Sequence, residues 1–363
     1  MITVVVPTYN ERDNVEVITS AIENALLNIP YEILFVDDSK DDTPEILERI
    51  ARRNPAVRYI HRETETGLGT AVVRGLEEAR GEYIAVMDAD LQHPPKMLCS
   101  MIDKLDAGAD IVIPSRFVPG GDDGGLKLHR KLVSAVARYM GKVALKRLRK
   151  ISDPTGGFFA FRREVISDVE LRPIGWKILI ELLARGHYCR VAEVPYRFQP
   201  RRAGNSKLTL KEQWNYIKHL GRLVSESRED RCLFLFAAVG LLGVVINMLF
   251  YGVLVKLGVT VVLAGFVSSL IALWSNFMLN ELVTWSDVKQ NVWSIRAIKY
   301  LTTSFVGIGI NMGVLSFLYY EARVHYLLSD LIGIAIATLW NFMISNTWTW
   351  KPILKGIEVS APQ

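Results

Sequence analysis

Apolar positions follow two different rhythms along the chain. Short apolar runs at 2–6, 32–36, 57–60, 83–87 and 111–113 are separated by stretches whose apolar residues recur at helical spacing. Such alternation predicts parallel strands joined by crossover helices, an α/β sheet. From residue 232 the rhythm changes. No charged residue occurs in 232–255, 257–280, 300–320 or 331–350. At ~1.5 Å per helical residue each run can cross ~30 Å of hydrocarbon. Four such runs joined by short connectors predict an all-α transmembrane domain of four helices, not the buried helices of a large soluble core.

The apolar half repeats itself. Gly243-Val-Val-Ile-Asn247-Met248 returns as Gly307-Ile-Gly-Ile-Asn311-Met312, and Asn276-Phe277-Met278 with Thr284-Trp285 returns as Asn341-Phe342-Met343 with Thr349-Trp350. Offsets of 64 and 65 residues indicate a duplicated hairpin; each copy crosses twice, so the copies share one orientation. Asn247, Asn276, Asn311 and Asn341 are expected to hydrogen-bond between neighbouring helices. Lys289, Arg296 and Lys299 between spans two and three, with Lys351 and Lys355 after span four, outnumber Lys256 and Arg323 on the other side. By the positive-inside rule the first 230 residues are cytoplasmic, and Trp285, Trp348 and Trp350 suit that interface. The expected location is a multi-pass protein of the cell membrane.

Composition narrows the class. Half of the 363 residues are hydrophobic and 22% are charged, so the two kinds must be segregated. Disorder and a wholly soluble fold are both excluded. Cys99, Cys189 and Cys232 are widely spaced, which suits neither a disulfide framework nor a zinc site. The first residues lack a basic stretch before their apolar run and read as a strand, not a signal peptide. Between 126 and 150 there are nine Lys and Arg and no acid, interleaved with Leu132, Val136, Tyr139, Met140 and Val143 at helical spacing. That pattern predicts a basic amphipathic helix on an anionic membrane surface, which with four spans in the chain is a better partner than nucleic acid. A second stripe, Trp214, Ile217, Leu220, Leu223 and Val224, is expected to anchor the chain beside the bilayer.

Ligands of α/β sheets bind at the carboxyl ends of the strands, which directs attention to Pro7-Thr-Tyr9-Asn-Glu11, Asp37-Asp38-Ser39 and Asp88-Ala89-Asp90-Leu-Gln92. Asp88 and Asp90 are two apart, so extended backbone turns both carboxylates to one side. With the Gln92 carbonyl they offer hard oxygen ligands to a divalent cation, a substrate diphosphate and water completing the shell. Asp37 and Asp38 can accept hydrogen bonds from a nucleobase edge or sugar hydroxyls, leaving Asp42 or Thr43 to cap the next helix. Gly67-Leu-Gly69 lacks the third glycine of a dinucleotide fingerprint, which argues against an NAD-type oxidoreductase.

Pro7-Thr-Tyr9-Asn-Glu11, Val36-Asp-Asp38, Asp88-Ala-Asp90-Leu-Gln92-His-Pro-Pro95, Ser115-Arg116, Asp153-Pro154 before Gly157-Phe158-Phe159, and Gly204-Asn-Ser206-Lys207-Leu208 together resemble the family 2 glycosyltransferases of GT-A fold. Within that family the set is most similar to the dolichol phosphate mannose synthases, over about residues 1–225. The duplicated four-span module resembles GtrA-like membrane domains. The implied organisation is a GT-A domain at 1–210, an amphipathic interface helix and linker at 211–231, a GtrA-like domain at 232–350 and a cytoplasmic tail at 351–363. Two departures stand out: the loop after Asp38 is one residue shorter than is common, and Gly156 stands where the family usually has Ser.

The resemblance implies transfer of mannose from GDP-mannose to dolichol or another polyprenyl phosphate with Mg2+ or Mn2+, the α-linked donor giving a β-linked product. It places Pro7, Tyr9, Glu11, Val36 and Asp38 on base and ribose, and Asp88, Ala89, Asp90 and Gln92 at the diphosphate, with Asp88, Asp90 and Gln92 holding the metal. Arg201 and Lys207 close on the donor phosphates, and Arg116, Arg130 and Ser134 receive the acceptor phosphate. Asp88, Asp90 and Arg116 are the catalytic set. Transfer of glucose from UDP-glucose to undecaprenyl phosphate is the nearest alternative. A lipid-linked sugar flippase or scaffold is the alternative of a different kind.

Overall fold

The computed structural model describes residues 1–64, 67–125, 128–199, 210–288 and 292–350. The chain divides into two compact units at the Glu226–Ser227 junction.

The first unit carries seven strands, β1 (Ile2–Thr8), β2 (Tyr31–Asp37), β3 (Val57–His61), β4 (Tyr83–Val86), β5 (Ile111–Ser115), β6 (Phe159–Arg162) and β7 (Val191–Pro195), in the spatial order β3-β2-β1-β4-β6-β5-β7. Helices α1 (Val15–Ala25), α2 (Thr43–Arg53), α3 (Leu68–Glu78), α4 (Met97–Asp106), α5 (Leu128–Ala144), α6 (Ile178–Arg185) and α7 (Leu210–Glu226) complete it. The expected parallel strands are all present. β1, β2, β4 and β5 are mostly apolar because both sheet faces are covered there, whereas the edge strand β3 carries Arg58 and is largely half-buried. Val5, Leu34 and Val36 enter one core, while their neighbours Val4, Val6, Ile33 and Phe35 enter the other, as side chains of period two must. The sheet is nevertheless mixed, since β6 runs antiparallel between β4 and β5. The chain there returns from the carboxyl edge, and a four-residue strand leaves little periodicity to read.

Two surface expectations fare differently. Leu132, Val136, Tyr139, Met140 and Val143 on α5 are all exposed and form an apolar stripe along the helix. The stripe on α7 is split. Leu220 and Leu223 lie in the core and the Tyr216 hydroxyl donates to the Ala137 carbonyl at 2.6 Å, so that face packs on α5. Of that stripe, Trp214 and Ile217 are exposed and Val224 is half-buried.

The second unit contains α8 (Arg228–Lys256), α9 (Val261–Leu279), α10 (Trp293–Ser316) and α11 (Tyr326–Ile344), and its four helical segments are long and apolar enough to cross a membrane. The duplication is structural as well: α9 and α11 end in matched π turns, Asn280–Thr284 and Ser345–Thr349. Within each hairpin an asparagine packs on a glycine, Asn276 on Gly243 and Asn341 on Gly307, where a Cβ would overlap the amide oxygen. Asn311 meets Gly333 in the same way. The oxygens of Asn276, Asn311 and Asn341 make no hydrogen bond, so these asparagines act as close-packing knobs and not as the interhelical hydrogen-bond partners expected. Trp285 and Trp350 also depart from expectation. Instead of lining an interface they are fully buried and stacked at 4.4 Å, each donating its indole N–H to the other repeat: Trp285 to Asn346 at 3.3 Å and Trp350 to Glu281 at 2.7 Å. Arg296, counted above among the loop cations, is buried against Glu281.

Candidate active site

Parallel register brings the ends of β1, β2 and β4 to one edge of the sheet, and β5, antiparallel to β6 as β4 is, ends at the same edge. The loops after β1 and β2 are laced together. Asp38 N–H donates to the Thr8 carbonyl at 3.0 Å, Asn10 N–H to Ser39 Oγ at 2.7 Å, and Lys40 N–H to Asn10 Oδ1 at 2.9 Å. Asn10 adopts a positive φ of 54° to make the turn. Tyr9 stands exposed at this edge, with Pro7 and Val36 buried behind it. Asp37 is not available to a ligand. Its carboxylate accepts from Thr8 Oγ1, Ser39 Oγ, Ser39 N–H and, at 2.8 Å, His61 Nδ1. Asp42 is the N-cap residue of α2, as expected, but its side chain makes no capping hydrogen bond; Asp41 beside it accepts from the Thr43 N–H and hydroxyl.

After β4 the chain carries Asp88, half-buried, then Ala89 and Asp90, both buried. Leu91 takes a positive φ of 59°, and the turn so made lets the Gln92 N–H donate to Asp90 Oδ1 at 3.0 Å. An L-residue held in that region stores strain of order 1–3 kcal/mol, and such positions cluster at functional sites. Gly157 lies directly over Asp88: a Cβ there would be 2.7 Å from Oδ2. Lacking one, the Gly157 backbone lies close to the carboxylate without displacing it, and the oxygens at 88 and 90 fit a hard divalent cation. Among the described residues there is no cluster of three or more His, Cys, Asp or Glu, so a cation held here would need oxygens from elsewhere, such as a diphosphate. The Gln92 side chain donates to the Gln199 carbonyl at 3.4 Å, and the Gln92 carbonyl accepts the Gln199 N–H at 2.9 Å. The strand of chain that leads on to Arg201 is therefore tied to the carboxylate loop.

Arg116 follows β5 and donates through Nε and Nη2 to Asp153 at 3.2 and 2.9 Å, its guanidinium 5.1 Å from the Phe198 ring centre. Arg138, one turn beyond the half-buried Ser134, lies 3.7 Å over Phe117, so α5 runs along this segment. Arg201 and Lys207 lie outside the described residues, as does the side chain of Arg130 on α5.

Three groups here went unassigned by sequence reasoning. His93 is buried among Phe158, Tyr196 and Phe198, with Nε2 4.0 Å from Asp88 Oδ2. Burial, reinforced by the Arg116 charge, pushes its pKa down to about 3, so the ring is neutral. Lys177 is pushed down to about 8, chiefly by burial. Arg62, at the end of β3, pairs with Asp38. The carboxyl-end rule that singled out β1, β2 and β4 applies equally to β3 and points to Arg62.

Residues 3–170 match the family described as Glycosyl transferase family 2, and residues 235–350 match GtrA/DPMS, transmembrane domain. With the four spans, this second match makes the chain a multi-pass membrane protein. A dolichol-phosphate mannosyltransferase of Pyrococcus furiosus is 39% identical over 96% of this chain and 99% of its own length. One from Saccharomyces cerevisiae is 35% identical, over 61% of this chain and 85% of its own. Among solved structures, a Mycobacterium tuberculosis glucosyl-3-phosphoglycerate synthase in complex with Mn2+, UDP-glucose and phosphoglyceric acid aligns with a TM-score of 0.48 at 23% identity, over 62% of this chain and 79% of that one.

Proposed function

The chain belongs to the dolichol-phosphate mannosyltransferases of glycosyl transferase family 2, and from that membership we propose that it transfers mannose from GDP-mannose to a polyprenyl phosphate on the cytoplasmic face of the cell membrane. The observation that carries this reading is the carboxylate pair at the sheet's carboxyl edge, with the side-chain-free Gly157 set close against Asp88, in a chain that also bears four spans. Pro7, Tyr9, Glu11, Val36 and Asp38 hold base and ribose, while Asp88, Ala89, Asp90, Gln92, Arg201 and Lys207 surround the diphosphate.

A phosphate monoester is largely dianionic at neutral pH, its second pKa being roughly 6. It attacks without a protein base. One of its oxygens bonds to the anomeric carbon while the bond from that carbon to the diphosphate breaks, and the nucleoside diphosphate departs with the electron pair. Attack opposite the leaving group inverts the centre and gives the β-linked product. The chain's task is to position two anions in line and to balance their charge. Arg116, Arg130 and Ser134 hold the acceptor phosphate, with Arg116 aimed by Asp153. Mg2+ or Mn2+, held by Asp88, Asp90 and Gln92, would supply Lewis-acid stabilisation of the leaving diphosphate. The exposed apolar stripe of α5, set among basic residues, supports a catalytic unit lying against anionic lipid.

Incorporation of radiolabelled sugar into a lipid extract tests the reading. GDP-mannose is expected to label polyprenyl phosphate, UDP-glucose to give little product, and EDTA to stop the reaction. Preferential labelling by UDP-glucose, or turnover indifferent to EDTA, would overturn it.

A further inference from the structure

The unassigned Arg62 bears on donor choice. Asp37 and His61 are register partners on β2 and β3, so the next residues, Asp38 and Arg62, leave the sheet side by side at its carboxyl edge. Arg62 is fixed first by its backbone, whose N–H donates to the Asp37 carbonyl at 2.8 Å. Its fork then grips Asp38, Nε to Oδ1 and Nη2 to Oδ2, both at 2.7 Å, and both side chains are less than a tenth exposed. The same guanidinium reaches the start of α3, donating to Thr70 Oγ1 at 3.1 Å and to the Gly67 carbonyl at 3.2 Å, while the Gly67 N–H donates to Asp38 Oδ2 at 2.8 Å. One side chain therefore ties together the ends of β2 and β3 and the first turn of α3.

A carboxylate offers about four acceptor directions. Those of Asp37 are filled by four donors from Thr8, Ser39 and His61. Asp38 receives two from Arg62 and one from Gly67, and the planar bidentate pair locks the orientation of what remains. An acceptor fixed in this way favours a base that turns an N–H toward it, as guanine and uracil do, and disfavours adenine, whose corresponding ring nitrogen is itself an acceptor.

We propose that Arg62 is a positioning residue for donor selection: by fixing the plane of the Asp38 carboxylate it makes the site discriminate nucleobases with a ring N–H from adenine. This rests on the reading of Asp38 as a base contact. Arg62 touches neither sugar nor phosphate in this role, so its loss should alter nucleotide affinity and KM for the donor far more than kcat.

Binding of GDP and of ADP, each with Mn2+, to the full-length protein in detergent tests the proposal by calorimetry. Wild-type protein is expected to prefer GDP. R62Q should lower the GDP-to-ADP affinity ratio at least tenfold, and R62K, which keeps the charge without the fork, should restore part of it. Thermal melting identifies any variant that fails to fold, and R62K then carries the test alone. A wild-type ratio in a folded R62K or R62Q would overturn the proposal. An Asp38→Asn variant separates the two levels: if it changes the ratio and R62Q does not, the role of Arg62 fails and the base contact stands. If neither changes it, both fail, while mannose transfer by the wild-type protein still judges the proposed reaction.

Discussion

Asp38 with Arg62 in the sheet unit and Glu281 with Arg296 in the membrane unit are bidentate pairs, and every one of these four side chains is less than a tenth exposed. Their surroundings differ. Around Asp38 lie polar loop ends, with Tyr9 and the open edge of the sheet close in sequence and register. Glu281 accepts the Trp350 indole N–H as well, and that indole is itself packed against the rings of Trp285, Phe277 and Tyr300. A buried pair is weak evidence of stabilisation in itself, because desolvation offsets the attraction. What surrounds it decides its use: the first pair can meet a ligand, and the second closes a joint between the two hairpins.

Removing one partner from the membrane pair should cost the most. Glu281→Ala leaves the Arg296 charge among aromatic rings and is expected to cost about 3–5 kcal/mol. A thermal melt in detergent should show a large fall for Glu281→Ala, with affinity for GDP unchanged in protein that remains folded. The double replacement Glu281→Met with Arg296→Leu should recover most of the loss.

The sheet edge should behave in the opposite way, losing chemistry and keeping stability. Gly157→Ala places a methyl 2.7 Å from Asp88 Oδ2, and displacement of that carboxylate should lower Mn2+ affinity and transfer by about 10–100-fold. Gly156→Ser is the control. The nearest atoms to a Cβ there are the Asp153 and Phe158 carbonyls at 3.8 and 4.0 Å, so the family's usual hydroxyl fits and turnover should stay within about twofold.

The smallest effect concerns acid. Burial holds His93 neutral down to about pH 3, whereas the unfolded chain takes up that proton near pH 6.5. Between those values the unfolded state binds more protons, so stability falls as pH drops, by about 1.4 kcal/mol per pH unit. Glu181 adds to this lower down. Burial would raise its pKa, yet donation from His219 and the Arg172 N–H, with the nearby Arg185 charge, holds it below the ordinary value, so its contribution is lost as pH falls through that lowered pKa. Denaturant melts from pH 7 to pH 5 should show the decline, and His93→Phe should flatten it.

The fold was legible where the pattern was long or clean. Parallel strands buried on both faces read as apolar runs, and four charge-free stretches read as spans. β6 escaped because four residues between two turns carry no period. The assignments of Asn276, Asn311 and Asn341, and of Trp285 and Trp350, failed for one reason: sequence gives residue type and spacing but not the neighbour. Trp285 suits an interface or a core equally well, and only the repeat's exchange of indoles decides between them. At the site, the loops of 7–11, 36–38 and 88–92 do converge, because strand register forces them to. That Asp37 is internally satisfied while Asp38 is held by Arg62 depends on which residues β2 and β3 place side by side, which no local motif encodes.

On the proposed reading, the carboxylates of Asp88 and Asp90 enable mannosyl transfer to a lipid phosphate. Radiolabelled mannose transfer from GDP-mannose to polyprenyl phosphate, comparing wild-type protein with the Asp88→Asn, Asp90→Asn double variant in detergent, tests it directly. A loss of about 10³-fold or more in folded variant protein is the expected result. Turnover within a few-fold of wild type would contradict it.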